Sequence, residues 1–174
     1  MKTKNFLTAL VIGGLSLSAA AYVASAEENA SEPAAASAVT SPVAAALANL
    51  KTFNGTPSAD AKYYIFLESA SWCPPCRKEM PHIVKAYPEM KENQVELVLI
   101  GADGSPQKAE EYLKTYNATF PGVFGRDPGV ANLPGFKSAN YVPHAVIVDS
   151  NGNVLADGHG SITLKWKEII QSHK

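Results

Sequence analysis

The chain has 174 residues, with 15 Lys and Arg against 16 Asp and Glu and an ordinary share of apolar residues. That length fits one compact domain with some extra chain better than two domains, and the balanced, scattered charge lacks the basic footprint that nucleic-acid binding requires. The only two cysteines, Cys73 and Cys76, lie three positions apart, so they cannot staple a small secreted fold, and their role is expected to be chemical.

The N-terminus has the three parts of a secretory signal: basic Lys2 and Lys4, an apolar stretch from Phe6 to about Val23, and the small triplet Ala24-Ser25-Ala26. Cleavage after Ala26 is expected, leaving an acidic start at Glu27-Glu28 and an exported chain. An uncleaved membrane anchor is the lesser alternative, because the apolar run approaches a bilayer's thickness. No cysteine near the cleavage point offers a site for a lipid. From Glu27 to Ser41 the composition falls to Ala, Ser, Glu and Pro with almost nothing to bury, which reads as a disordered tether. The folded domain is expected over residues 42–174.

Ser41-Pro42 has the form of a helix start, and Val43 to Leu50 reads as a short helix. After the turn Asn54-Gly55-Thr56-Pro57, the run Lys62 to Leu67 is aromatic and branched, as a central buried strand is. Pro74 to about Met90 reads as a helix with prolines in its first turn and a kink near Pro81. Val95 to Ile100 is a second buried strand, closed by Gly101-Ala102-Asp103-Gly104. Strand, helix and strand in this order imply a parallel pair, with helices on both faces of the sheet. Ser105-Pro106 caps a further helix to about Tyr116, with Ala109, Tyr112, Leu113 and Tyr116 on one face. Phe120 to Asn140 is dense in Gly and Pro and reads as a loop-rich excursion, with any short helix near Asp127 to Leu133. Ala145 to Asp149 and Val154 to Ala156, joined at Ser150 to Asn153, make an antiparallel hairpin, and a terminal helix follows from Ser161.

The motif Trp72-Cys73-Pro74-Pro75-Cys76 falls where the first buried strand gives way to a helix. A thiol at a helix N-terminus is activated as a thiolate by unpaired amides and the helix dipole, which makes Cys73 the attacking sulfur. Cys76, one turn further in, is expected to be the deeper, resolving sulfur. The two prolines withhold amide donors from the Cys73 thiolate, which argues weakly against a strongly oxidising protein. Three other readings fit the same residues. The cysteines with His82 or His144 make a tetrahedral zinc set, although zinc knuckles seldom follow a buried strand or hold two prolines between thiols. A permanent disulfide across so short a loop would remove little chain entropy. A redox-inactive binding module is the third.

Strand, CxxC, helix and a later Val142-Pro143 before a hydrophobic hairpin together resemble the thioredoxin superfamily, and most of all its exported TlpA/ResA/DsbE-type thiol–disulfide oxidoreductases. The likeness covers residues 60 to 172 or so, and the segment from Ser69 to Pro81 carries it almost position for position. A second likeness, to tryparedoxin and nucleoredoxin domains, rests on the Trp-Cys-Pro-Pro-Cys-Arg run alone, and the signal segment argues against it. The resemblance implies a thioredoxin-like α/β fold: a central mixed sheet flanked by helices on both faces, with a C-terminal hairpin and helix. It implies that Pro143 is a cis-proline facing the cysteines, and that Glu79 is an acidic residue acting on thiol protonation. Trp72, Val142 and His144 are expected as substrate contacts. Two departures stand out. Leu67 occupies the position of the buried Asp of classical thioredoxins, with Glu68 one residue later on the opposite strand face, so Glu79, Glu68 and solvent all remain as proton routes. His144 follows the proline where Thr or Ser is usual, either tuning Cys73 or merely satisfying a carbonyl.

The function expected from all this is extracytoplasmic dithiol–disulfide exchange with protein substrates, running as a reductant, with no cofactor or metal. The domain is expected to be a monomer in the periplasm or an equivalent exported space, resupplied with electrons by a membrane protein and serving cytochrome c maturation or thiol repair. An oxidase or isomerase uses the same residues, and a peptide-gripping adaptor is the non-enzymatic alternative. A peroxidase ranks below these for want of an evident peroxide pocket.

Overall fold

A computed structural model describes residues 40–174 of the chain. The signal segment, its cleavage point and nearly all of the tether lie outside the described residues.

Ser41 caps α1 (Pro42–Ala48), its hydroxyl accepting from the Ala44 amide at 3.2 Å. There follow β1 (Thr52–Phe53), β2 (Tyr63–Ser69), α2 (Pro74–Glu92), β3 (Val95–Gly101), α3 (Pro106–Thr115) and β4 (Gly122–Phe124). After a 3-10 turn at Pro128–Asn132 come β5 (His144–Asp149), β6 (Val154–His159), a second 3-10 turn at Gly160–Lys165 and α4 (Trp166–Gln171). The strands form one mixed sheet in the order β1-β4-β3-β2-β5-β6. β2, β3 and β4 are parallel; β1, β5 and β6 run antiparallel to their neighbours.

The crossovers from β2 through α2 to β3 and from β3 through α3 to β4 step in the same direction across the sheet. Right-handed connections therefore place α2 and α3 on the same face. Ile65, Leu67, Leu97, Leu99, Ala145 and Ile147 point to that face and pack against Met80, Ile83 and Met90 of α2, Tyr112 and Leu113 of α3, and Trp166 and Ile170 of α4. The alternate residues Tyr64, Phe66, Val98, Ile100, Val146 and Val148 face the other way, under Val43 and Leu47 of α1 and Val130, Leu133 and Phe136 of the excursion. Burial of one such large side chain contributes roughly 1.5–3 kcal/mol, so β2 and β3, buried on both faces, anchor the domain.

The structure departs from the sequence reading in two places. β1 and β4 are two and three residues long, too short for any periodicity to show, and they exist because β4 finds the free edge of β3 and β1 then pairs with β4. The C-terminal helix does not begin at Ser161: six residues of 3-10 turn intervene and the α-helix starts at Trp166. As the sequence reading expected, α2 runs on through Pro81, and through Pro88, to Glu92, each proline forgoing a backbone hydrogen bond one turn back.

Candidate active site

β2 ends at Ser69, and three residues of chain bring Cys73 to the N-cap of α2. Cys73 and Cys76 are joined as a disulfide. Pro74 and Pro75 have no N–H, so the Cys76 amide is the first donor the helix offers, and it points at Cys73 Sγ from 3.2 Å. The Cys73 sulfur thus sits where the helix N-terminus favours negative charge. The sequence reading placed Cys76 deeper than Cys73; in the folded chain the two are equally buried, each 2% exposed. The closed ring tucks both sulfurs against Ala70, with Ala102 and Val142 alongside. Exposed Trp72, Pro74 and Pro75 surround it, Trp72 being 62% accessible.

The second wall is the segment before β5. The Val142-Pro143 peptide bond is cis, and the Val142 carbonyl oxygen lies 3.6 Å from Cys73 Sγ. Pro143 is held from behind by Gly160, whose amide donates to the Pro143 carbonyl at 2.9 Å. A Cβ on Gly160 would fall 2.5 Å from Pro143 Cβ, so only glycine permits this approach. Tyr141, half exposed, flanks the same wall. Glu79 lies one turn beyond Cys76 on α2; its Oε2 is buried without a hydrogen-bond partner, and its Oε1 lies 3.7 Å from His159 Nδ1.

His144 is not the substrate contact that the sequence suggested. Strand alternation turns it to the face opposite Pro143, where it is 2% exposed, with Nδ1 3.3 Å from Glu68 Oε2 and Nε2 2.8 Å from Asp157 Oδ1. Glu68 also accepts from the Ser138 hydroxyl and from the Ala139 amide at 3.0 Å, and the Tyr141 ring meets the His144 ring edge-on at 5.6 Å. This cluster pins the stretch leading into Val142 to the sheet. His82 is exposed on α2, and among the described residues no group of three or more His, Cys, Asp and Glu is arranged to hold a metal.

Sequence reasoning missed Asp103, which it read as a turn residue. Asp103 is buried after β3 and accepts from the Ser71 hydroxyl at 2.6 Å and, more loosely, from the Ser71 amide. It thereby fixes the approach to Trp72 and Cys73. Nothing local in the sequence separates such an Asp from a solvated one. Nearby, burial pushes the Tyr112 phenol up to about 12, with its hydrogen bond to Ser69 opposing, so this hydroxyl stays neutral and bonds to the end of β2.

The model of the AhpC/TSA family matches residues 45–156. Among curated proteins, the thiol-disulfide oxidoreductase ResA of Halalkalibacterium halodurans is 28% identical over 98 residues, 56% of this chain and 54% of that protein. The chain spans about half the length of the curated relatives it matches. Among solved structures, thioredoxin from Wuchereria bancrofti superposes with a TM-score of 0.57 at 23% identity, covering 72% of this chain and 97% of that one. A thioredoxin-family thiol:disulfide interchange protein from Chlorobium tepidum gives 0.54 at 21% identity, covering 71% and 93%. Likeness at such identities establishes the fold, which is thioredoxin-like.

Proposed function

The chain belongs to the AhpC/TSA family, and from that premise we propose that it is an exported thiol–disulfide oxidoreductase acting on protein disulfides as a reductant. One observation carries the reading: the Cys73–Cys76 disulfide lies at the N-cap of α2, with Cys73 Sγ between the Cys76 amide and the Val142 carbonyl. A peptide approaching there meets exposed Trp72 and Tyr141, and beside them the wall that ends in the cis-proline. In the reduced chain the Cys73 thiolate attacks a substrate disulfide, forming a mixed disulfide and releasing one substrate thiolate. Cys76 then attacks Cys73 Sγ, closing the internal disulfide and releasing the second. Two electrons have passed from the chain to the substrate, and an external donor must return them. The N-terminal signal pattern supports export, which would place that donor in the membrane; service to cytochrome c maturation or thiol repair would follow.

Substitution tests this directly. Cys73→Ser is expected to abolish reduction of insulin, and Cys76→Ser to accumulate covalent mixed disulfides with partner proteins, visible as adducts that reductant removes. Full insulin reduction by the Cys73→Ser chain sinks the assignment. Unaltered peptide binding without any exchange in the wild type would instead identify an adaptor.

A further inference from the structure

Most buried carboxylates of the described residues are well supplied with donors. Glu68 has Ser138, Ala139 and His144; Glu96 has Ser58, Tyr87 and Lys91; Asp103 has Ser71. Glu79, itself only partly buried, differs: its Oε2 is buried with no hydrogen-bond partner, and a buried oxygen in that state calls for an explanation. Glu79 lies three residues after Cys76, on the same face of α2, and its Oε2 is 3.2 Å from where a Cβ of Gly160 would stand, beside Pro143. Among the described residues, no Lys, Arg or other His nitrogen lies within 4 Å of it; its one ionisable neighbour from β6 and the following turn is His159.

The geometry of His159 suits a proton carrier. Its Nδ1 accepts from the Ser161 amide at 3.2 Å, lies 3.1 Å from the Ser161 hydroxyl, and faces Glu79 Oε1 at 3.7 Å. The ring is about half exposed, and Nε2 has no partner among the described residues. One end of the pair therefore lies on the half-exposed ring while the other lies next to Gly160 and Pro143, one turn after Cys76.

We propose that His159 is the group through which Glu79 exchanges protons with solvent during resolution of the mixed disulfide. The inference rests on the exchange reaction proposed above. In that step the Cys76 thiol gives its proton to the Glu79 carboxylate and its sulfur bonds to Cys73 Sγ. The bond between Cys73 and the substrate breaks, and the substrate sulfur leaves with the electron pair and is protonated by water. Glu79 passes its proton to His159 Nδ1, displacing the Ser161 amide, and the imidazolium releases a proton from Nε2 to solvent.

The test uses reduced full-length chain and a small aromatic disulfide, with rates measured from pH 5 to 8 for wild type, His159→Asn, Glu79→Gln and the double variant. Asn retains a side-chain acceptor for the Ser161 amide, so the cap survives while the titrating ring is lost. The expected result is a rate about tenfold lower for His159→Asn, with a changed pH profile, a modest share of what general acid–base groups supply. Added imidazole should restore the rate, and the substitution should have no further effect in the Glu79→Gln background. A wild-type profile in His159→Asn overturns the proposal, as does an equal loss with and without Glu79. A wild-type chain that reacts with the small disulfide but not with insulin refutes the protein-substrate reading instead, while the pH profiles still decide the relay. Failure of the wild type with both disulfides refutes both.

Discussion

The sulfur of Cys73 is positioned by two sets of contacts of unequal visibility. The Cys76 amide and the Val142 carbonyl touch it, whereas Asp103 acts two residues upstream by holding the Ser71 hydroxyl and amide. Replacing Asp103 with Ala leaves both Ser71 donors unmatched beside the site, which is expected to cost about 1–3 kcal/mol. Urea unfolding should show that loss, and insulin reduction should slow as Trp72 and Cys73 lose their fixed approach. Ser71→Ala removes the hydroxyl donor but leaves the carboxylate the amide, so it should cost less. The motif from Trp72 to Cys76 was legible because its chemistry is written in consecutive residues. Asp103 was not, because its partner lies 32 positions away, and His144 was misjudged for want of strand parity. Glu68 and His144 are direct neighbours across β2 and β5. Had the alternation that turns Glu68 away from Leu67 also been applied after Pro143, the two would have fallen on one face.

Among the elements, β2 and β3 were readable as unbroken aromatic and branched runs, α2 from the prolines in its first turn, and α1 and α3 because each opens on Ser-Pro. β1 and β4 had no such signal, since short edge strands draw their stability from pairing rather than composition. The β5–β6 hairpin shows how a turn residue stabilises an element that periodicity alone predicts. The Asp149 carboxylate accepts from the Asn151 amide at 2.8 Å, the Asn153 amide at 2.9 Å and the Asn153 side chain at 2.7 Å, while Gly152 supplies the positive φ of +90°. Burial pushes this carboxyl upward, but the hydrogen bonds from Asn153, Asn151 and Gly152 together outweigh it and hold the group below its ordinary value of 3.8. With the folded value depressed, the stabilisation is fully present above the unfolded value and is lost as pH falls through the folded one. Asp149→Asn should therefore lower the urea midpoint at pH 7, by about 1 kcal/mol at most for a turn open to water, and should flatten the acid limb below about pH 4. Identical acid limbs in the two proteins would remove Asp149 from that role.

At the scale of the whole molecule, the direction of electron flow is a question of relative stability. A disulfide spanning three positions closes so small a loop that it barely constrains the unfolded chain. The difference in stability between the oxidised and reduced folded forms therefore reports how the fold treats the disulfide against the dithiol. A strong oxidant of this fold owes its potential to a stabilised reduced form, with a thiolate well supplied with donors. Here Pro74 and Pro75 leave the Cys76 amide as the one first-turn donor to Cys73 Sγ, and both sulfurs lie buried against Ala70 with Ala102 and Val142 alongside. With a single such donor and apolar walls, the dithiol gains less from its thiolate than in a donor-rich strong oxidant, which favours the closed disulfide. The oxidised chain should accordingly unfold at higher urea than the reduced chain, and equilibration with dithiothreitol buffers should give a potential near thioredoxin's, about −270 mV. A potential near about −120 mV corresponds, at about 1.4 kcal/mol per 30 mV, to a swing of about 7 kcal/mol toward the reduced form. The order of the two urea midpoints would then reverse, and the chain would be donating disulfides to exported proteins rather than removing them.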